Sequence, residues 1–399
     1  MIEGVNILGG YDCSPLPCSP TRDPATNHSM ILDQDFEGVL APSTITRSTT
    51  LDGFEITGHA GTPSGTYGAA LTVAGGGPTL AHNVVTGGSI TGNKTSYGIA
   101  IPALGSGPGP LIADNLISGG SGNSTAGITA FGTGSGTVVF RNDIRAGTAS
   151  GTGSAWGLLL GGIVQVDSNR INTAASSGAC ISVSGAWCGG ISTFSAAADI
   201  TNNVVLGLPA QRSAAILAGE FEIPAPALRL NSNYLDGGGF AVLTASTSSA
   251  AVFLTSGTCS SCSVNAVIGK LRNNVLRGGT NQFRFGVLEV PPVGKTVHPE
   301  ALRANNFFFP PLSGRIDVLY RYVGGNGETN YTTMSEVNML LFASGNFLAD
   351  CLFDATFHLG AGSPCINAGN SIEAPPLDFD GEARPNGGLF DVGPDERYP

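Results

Sequence analysis

The sequence predicts an all-β solenoid in which short parallel strands stack coil upon coil, and three observations support this. The pattern apolar–x–x–Asn–x–apolar recurs eight times, at intervals of 27 to 41 residues. A second, glycine-containing apolar motif precedes several of these copies. Glycine accounts for 59 of 399 residues and charged residues for only 12%, about half the usual charged share. A repeat of this period is typical of a solenoid with many tight turns.

The repeated asparagine is predicted to form a ladder along the solenoid axis. Asparagine tolerates the left-handed backbone needed where the chain turns between two strands. Its amide both donates and accepts, so stacked copies can bond to one another. In the last copy Arg303 occupies the first apolar position, and Phe308 lies two positions after the asparagine. The predicted ladder is Asn83, Asn115, Asn142, Asn169, Asn203, Asn233, Asn274 and Asn306.

Further strands are predicted upstream of the asparagines. Tyr67, Tyr97, Ala126 and Trp156 each precede a glycine and a short apolar run. Each coil therefore contains at least two or three short strands separated by glycine-rich turns. The segment Leu51-Asp-Gly-Phe-Glu-Ile56 takes the place of the asparagine motif in an earlier coil. Thr333-Met-Ser-Glu336 is a capping-box pattern that predicts one short helix.

These repeats resemble the right-handed, single-stranded parallel β-helix proteins of the pectate-lyase-like architecture, which carry an asparagine ladder. The resemblance covers residues 1 to about 340 and concerns the fold far more than the function. It implies a β-helix domain over residues 1–342, with about ten coils and a truncated first coil. A strand at the very start of the chain suggests that an export signal and an N-terminal cap are missing.

The end of the chain resembles the C-terminal element of secreted bacterial β-helix proteins. The motifs are Gly362-Ser-Pro-Cys-Ile-Asn-Ala-Gly369, Asp378-Phe-Asp-Gly381 and Asp391-Val-Gly393, within residues 345–396. This resemblance implies a cap segment over residues 343–399 and export to the periplasm, the outer membrane or the extracellular space. It does not imply an enzyme.

Eight cysteines fall into four close pairs, which predicts local disulfides in an oxidising compartment. A redox or metal role for the Cys-Ser-Ser-Cys pair is the alternative, but no histidine lies within thirty residues of it. The predicted pairs are Cys13 with Cys18, Cys180 with Cys188, Cys259 with Cys262, and Cys351 with Cys365.

Composition narrows the range of partners. A net charge of −11 with only 18 basic residues argues against nucleic-acid binding, and no apolar stretch is long enough to span a membrane. The aromatic residues Tyr67, Tyr97, Trp156 and Trp187 could lie along one edge, where sugar rings would stack. The alternative is that these side chains pack on one another across coils.

An enzyme would need facing charged groups, either a base beside a cation for elimination or two carboxylates for glycoside hydrolysis. Glu220 and Glu222 lie on one strand face, and Arg272 and Arg284 belong to a basic group in which Phe283 and Phe285 would point inward if Arg284 faces outward. Surface salt bridges are the commoner explanation of such arginines. The motifs expected of pectate lyases and polygalacturonases are absent, and the five histidines are scattered.

A calcium site is the remaining candidate. Asp378, Asp380 and Asp391 belong to the densest acidic cluster, together with Asp395 and Glu396, and carboxylates on loops suit Ca²⁺. Their spacing matches no known calcium loop, and Asx-turns explain the acids as well.

The sequence thus favours an exported, non-enzymatic surface scaffold that is adhesive or structural, able to self-assemble, and bound to surface glycans or to copies of itself. The alternatives are a polysaccharide lyase or glycoside hydrolase, and a glycan-binding module. A cleft with at least three facing charged side chains would favour an enzyme.

Overall fold

The computed structural model describes residues 1–13, 17, 21–24, 26–27, 29–32, 35–36, 38–104, 108–173, 180, 186–194, 197–219, 228–239, 247–255, 266–267, 269–291, 296–324 and 327–398. The chain is all-β, with parallel sheets stacked as a β-solenoid and one short helix near the C-terminus, as the sequence predicts. It forms two compact units, Met1–Gln165 with Ala174–Ala186, and Val166–Thr173 with Trp187–Pro399.

The elements before Thr173 are β1 (Ile7–Leu8), β2 (Ser29–Leu32), β3 (Val39–Ala41), β4 (Thr50–Asp52), β5 (Phe54–Thr57), β6 (Tyr67–Gly75), β7 (Thr79–Ala81), β8 (Val84–Thr86), β9 (Thr95–Leu104), β10 (Leu111–Ala113), β11 (Leu116–Ser118), β12 (Ser121–Gly122), β13 (Ser124–Phe140), β14 (Asp143–Arg145), β15 (Thr148–Ala149), β16 (Ala155–Asp167) and β17 (Arg170–Ile171).

The later elements are β18 (Trp187–Phe194), β19 (Ala198–Thr201), β20 (Val204–Leu206), β21 (Arg212–Gly219), β22 (Arg229–Asn231), β23 (Tyr234–Asp236), β24 (Ser248–Thr255), β25 (Ala266–Val267), β26 (Lys270–Arg272), β27 (Val275–Arg277), β28 (Phe283–Val290), β29 (Val297–His298), β30 (Ala301–Arg303), β31 (Asn306–Phe308), β32 (Ile316–Gly324), β33 (Gly327–Tyr331), α1 (Met334–Asn338), β34 (Ala343–Ser344) and β35 (Phe347–Leu348).

Each regular coil contributes a long strand and two short strands that meet at the asparagine corner. In the first unit the long strands β6, β9 and β13 pair in parallel, and the strands after the corner pair in the order β2, β5, β8, β11, β14. In the second unit β18, β21, β24, β28 and β32 are the long strands. There the strands after the corner run β17, β20, β23, β27, β31, β35.

The asparagine ladder is present within both units. The backbone N–H and the Nδ2 of Asn83 donate to Oδ1 of Asn115 at 2.8 and 3.1 Å, and Asn115 donates likewise to Asn142. In the second unit the same bonds join Asn169, Asn203, Asn233 and Asn274. Because these amides are buried, the ladder satisfies polar groups that would otherwise be costly inside the solenoid.

The last predicted member of the ladder is wrong by one residue. Asn274 donates to Oδ1 of Asn305, and Asn305 donates in turn to Asn346. Asn306 instead lies opposite Val275 in the strand after the corner. Alignment on Asn305 places the apolar Leu302 three positions before the asparagine, where alignment on Asn306 places Arg303, and keeps an apolar residue, Phe307, two positions after it.

The left-handed corner residue also differs from the prediction. It is the residue before the ladder asparagine, not the asparagine, that has a positive φ. Glycine occupies this position at Gly53 (φ 78°), which precedes Phe54, and at Gly345 (φ 66°). The other coils have His82, Asp114, Arg141, Ser168, Asn202, Ser232, Asn273 and Ala304 there, with φ between 50° and 58°.

Local predictions at the C-terminal end are confirmed where the chain is described. Thr333 caps α1, and the side chain of Glu336 completes the capping box. Cys351 and Cys365 form a disulfide, and Cys13, Cys180 and Cys188 are also disulfide-bonded. Cys18, Cys259 and Cys262 lie outside the described residues. The domain boundary predicted at residue 342 remains a prediction.

The C-terminal segment after β35 packs against the outward side of the second unit. Val204, Tyr234 and Val275 each follow a ladder asparagine, so their side chains point away from the solenoid interior. They are buried nevertheless, in a cluster with Cys351, Leu359, Cys365 and Val392. The segment therefore covers three successive coils, and we call residues 350–398 the clasp.

Candidate functional site

The two tyrosines of the predicted aromatic edge pack against each other. The rings of Tyr67 and Tyr97 contact each other, with centroids 5.3 Å apart, and both side chains are half-buried. Their strands are offset, since Tyr97 lies opposite Ala69 and Tyr67 opposite Thr95. Burial raises the pKa of Tyr97. This pair shows the cross-coil packing that was the alternative to sugar stacking.

The two tryptophans differ in how much of the ring is open. Trp156 is 4% exposed, so neither of its ring faces is open to a sugar. Trp187 is half-buried and stacks on Phe253 at 4.4 Å. Trp156 belongs to the first unit and Trp187 to the second. The half-buried Tyr67–Tyr97 pair is therefore a better candidate for a glycan contact than the buried Trp156.

Arg284, the candidate for an outward-facing catalytic cation, is buried at 1% exposure and forms a salt bridge, which is the explanation the sequence favoured for the arginines. Its strand pairs with β32, which brings Asp317 opposite it. Nε and Nη2 donate to the two carboxylate oxygens of Asp317 at 2.6 and 2.7 Å, and Nη1 donates to the carbonyl of Pro310 at 2.8 Å. This bidentate pair and the carbonyl contact use three of the five N–H donors of the guanidinium.

Arg272 is also buried and paired with a carboxylate of the same chain. It is 7% exposed, and its Nη1 donates to Oε2 of Glu373 in the clasp. Lys270 donates to the other oxygen of Glu373 at 3.0 Å, and these interactions lower the pKa of that carboxyl. Glu220 and Glu222, the other half of the predicted catalytic face, lie outside the described residues.

Sequence reasoning missed a buried carboxylate on the same long-strand sheet. Glu289 is fully buried and accepts hydrogen bonds from the Tyr320 hydroxyl, from Nδ1 of His298 at 2.8 Å and from the backbone N–H of Val323 at 2.8 Å. Burial raises the pKa of Tyr320 well above its usual value. The sequence of β28, Phe-Arg-Phe-Gly-Val-Leu-Glu-Val, contained a signal for this residue. Glu289 stands among the apolar residues Val287, Leu288 and Val290.

His298 is the exposed end of this cluster. Its ring stacks on Tyr322, with centroids 4.5 Å apart and planes 7° from parallel. Within the described residues, Nε2 of His298 has no hydrogen-bond partner, and the side chain is 21% exposed. A histidine oriented through Nδ1 by a carboxylate can act as a base through Nε2.

Two of the predicted calcium ligands are used to fold the clasp. Asp378 accepts backbone N–H bonds from Asp380 and Glu382 on one oxygen and from Glu396 on the other. Asp391 accepts from the backbone N–H groups of Asn367 and Arg397. Both carboxylates are 1% exposed. Their oxygens thus hold the turns of the clasp, and the group of possible metal ligands found among the described residues does not include Asp378 or Asp391.

Asp380 instead meets His358 and Asp395. One ligand-type atom from each of the three side chains lies within 4.8 Å of the others. Nε2 of His358 and Oδ2 of Asp380 are 2.7 Å apart. Burial lowers the pKa of His358, but the hydrogen bond and charge of Asp380 outweigh it, so that the pKa is raised. Asp395 is 3% exposed, and burial raises its pKa to about 6.

The sequence contained signals for this cluster. Phe357-His-Leu359 belongs to the same C-terminal motif series as Asp378-Phe-Asp-Gly381. The histidine and the acids are separated by more than twenty residues, so only the folded clasp brings them together.

Comparison with known proteins gives no family assignment, since no family model matches the sequence and no curated protein matches it. Among the described residues, the chain has no helix with the length and hydrophobicity needed to cross a membrane.

Proposed function

We propose that this chain is an exported bacterial β-helix scaffold of the pectate-lyase-like architecture, with a non-enzymatic adhesive or structural role at the cell surface and the ability to self-assemble. One observation carries the proposal: Arg272 and Arg284 are both buried and paired with carboxylates of the same chain. These two arginines of the predicted catalytic face therefore support the fold and do not point freely at a substrate. The disulfide-bonded cysteines favour an oxidising compartment.

Attachment to a surface glycan would use shape and aromatic contact. The half-buried Tyr67–Tyr97 pair is the candidate, because Trp156 has no open ring face. Each lost stacking contact costs about 1 kcal/mol, so Tyr67→Ala with Tyr97→Ala should weaken attachment roughly thirtyfold.

The experiment is surface display of the chain on a non-adherent bacterium, followed by adhesion counts on cells and a glycan array. We expect adhesion or self-association to require the folded chain and to persist in Arg321→Gln, a half-exposed charge change. Failure of the displayed chain to bind glycans, cells or copies of itself would contradict the proposal.

A polysaccharide-active enzyme is the second candidate, and the Glu289–His298 pair favours it. His298 is oriented by a buried carboxylate and keeps Nε2 unbonded within the described residues, an arrangement suited to a general base. His298→Gln is the distinguishing variant, since it should abolish turnover by an enzyme and leave the attachment of a scaffold unchanged.

A further inference from the structure

We propose that His358, Asp380 and Asp395 form a binding site for one divalent transition-metal ion, of which Zn²⁺ is the representative. The three side chains come from separate stretches of the clasp, and their ligand-type atoms already lie within 4.8 Å of one another. Zn²⁺ accepts imidazole nitrogen and carboxylate oxygen at about 2.0–2.2 Å. Small side-chain rotations therefore suffice to place all three atoms around one ion.

The orientation of His358 is set by a hydrogen-bond chain on its other nitrogen. The hydroxyl of Thr356 donates its single hydrogen to Oδ1 of Asp354 at 2.7 Å. Thr356 Oγ1 lies 2.8 Å from Nδ1 of His358, so the oxygen must accept there and Nδ1 must carry a proton. Nε2, which lies 2.7 Å from Oδ2 of Asp380, is then the nitrogen that would exchange its proton for a metal. A fixed Nδ1–H directed at an oxygen is the usual outer-shell arrangement of a metal-binding histidine.

Asp395 supplies the independent evidence for a ligand. The residue is only 3% exposed, and its Oδ2 accepts the backbone N–H of Leu359 at 2.7 Å. Within the described residues its other oxygen accepts no hydrogen bond, although that oxygen is not fully enclosed. Because little water reaches this largely buried carboxylate, an ion between Asp395, Asp380 and His358 would supply an interaction that the chain itself does not.

The donor set favours a transition metal over Ca²⁺. Calcium takes six to eight oxygen ligands, whereas this cluster offers one imidazole nitrogen and two carboxylates. Imidazole with carboxylates suits Zn²⁺ and its neighbours. The site differs from the predicted set, because Asp378 and Asp391 are replaced by His358 and Asp395.

A bound ion would join parts of the clasp that no covalent bond joins. His358 lies inside the loop closed by the Cys351–Cys365 disulfide, whereas Asp380 and Asp395 lie beyond it. The ion would thus connect the disulfide loop to the end of the chain. We expect it to raise the midpoint of thermal unfolding.

The experiment uses untagged protein, stripped with a chelator and titrated with Zn²⁺, Co²⁺ or Ca²⁺ alone. Calorimetry should give one Zn²⁺ per chain, and Co²⁺ should give a visible absorption band of a nitrogen–oxygen site. Asp380→Asn and His358→Gln should each weaken Zn²⁺ at least tenfold. Thr356→Val, which alters only the positioning of His358, should weaken Zn²⁺ about tenfold, as outer-shell changes do, and alter the Co²⁺ spectrum.

The matched control is His82→Gln. His82 also lies beside an aspartate, with Nδ1 3.2 Å from Oδ1 of Asp52, but no third ligand converges there among the described residues. This variant should bind Zn²⁺ like the wild type. The proposal is overturned if the wild type binds no Zn²⁺, if Ca²⁺ binds more tightly than Zn²⁺, or if Asp380→Asn retains wild-type affinity. Because Asp380 is well exposed, that variant should fold even if His358→Gln does not.

Discussion

Asn305 and Asn306 are adjacent, identical in chemistry and fully buried, yet only the first belongs to the ladder. Oδ1 of Asn305 accepts from the backbone N–H and the Nδ2 of Asn274, and its Nδ2 donates to Leu271 and Asn346. Within the described part of the chain, the side chain of Asn306 makes one hydrogen bond, to the carbonyl of Ala349. The pair therefore separates the contribution of the ladder from that of a buried amide.

Asn305→Ala should lower the free energy of unfolding by about 3 kcal/mol, because it leaves several buried partners without a hydrogen bond. Asn306→Ala should cost about 1 kcal/mol, the value of one ordinary hydrogen bond. Urea unfolding measures both. Equal losses would mean that the ladder adds nothing beyond burial.

Substitution of Gly345 measures the free-energy cost of placing a side chain on the left-handed backbone at the corner. A Cβ at this position would meet only the backbone nitrogen of Ala304, at 3.9 Å, so space is not limiting. Gly345→Ala should cost about 1 kcal/mol, and Gly345→Asn less, because asparagine tolerates this conformation. Gly65→Ala is the control, since Gly65 has open space and no positive φ. A loss as large in Gly65→Ala would refute the assignment to backbone strain.

At the scale of the element, the clasp decides which outward-facing residues are buried. Val204 and Val84 both follow a ladder asparagine, in the second and first units. Val204 is fully buried under the clasp, whereas Val84 is half-buried. The same sequence position thus contributes differently according to what covers it.

Val204→Ala should lower the free energy of unfolding by about 2 kcal/mol, and Val84→Ala by less than half of that, because the cost of removing methyl groups follows burial. Denaturant unfolding of the two variants provides the comparison. Similar values would show that the clasp does not pack firmly on β20.

For the whole molecule, the features that depend on the repeats could be predicted from the sequence. The features that depend on contacts between distant residues could not. The ladder, the capping box and the Cys351–Cys365 disulfide were predictable because each depends on neighbouring residues or on a repeated spacing. The ladder position was assigned to Asn306 and not to Asn305 because the two asparagines are adjacent. That assignment also required Arg303 to occupy a position that is apolar in the other repeats. The burial of Arg284 was not predicted because its partner, Asp317, lies on the next long strand and is distant in the sequence.

The candidate metal site could not be predicted for the same reason. His358 and Asp395 meet only in the folded clasp, which packs on Val204, Tyr234 and Val275. Those three residues are apolar at outward positions, a pattern that indicates a covering segment once the coil register is known.

Buried acids in the clasp give the whole chain a distinctive pH dependence. The pKa of Asp395 is raised to about 6 from an ordinary value near 3.9. A raised folded-state pKa means that the folded protein holds a proton which the unfolded chain has lost, so stability falls as pH rises from about 4 to 6.

Measured with chelator present, the free energy of unfolding should fall by on the order of 2 kcal/mol across this range because of Asp395. Asp395→Asn should flatten the profile, since the amide does not titrate. Below pH 4 the exposed Asp354, whose pKa hydrogen bonds lower to about 2, contributes the opposite slope. An unchanged profile in Asp395→Asn would assign the dependence to other groups.

The most direct test of the scaffold proposal is an activity measurement on acidic and neutral polysaccharides, following new reducing ends and unsaturated uronates over a day. The account predicts no product above the heat-denatured control, for the wild type and His298→Gln alike. Product formed by the wild type and lost in a His298→Gln variant with an unchanged unfolding midpoint would contradict the account and identify an enzyme.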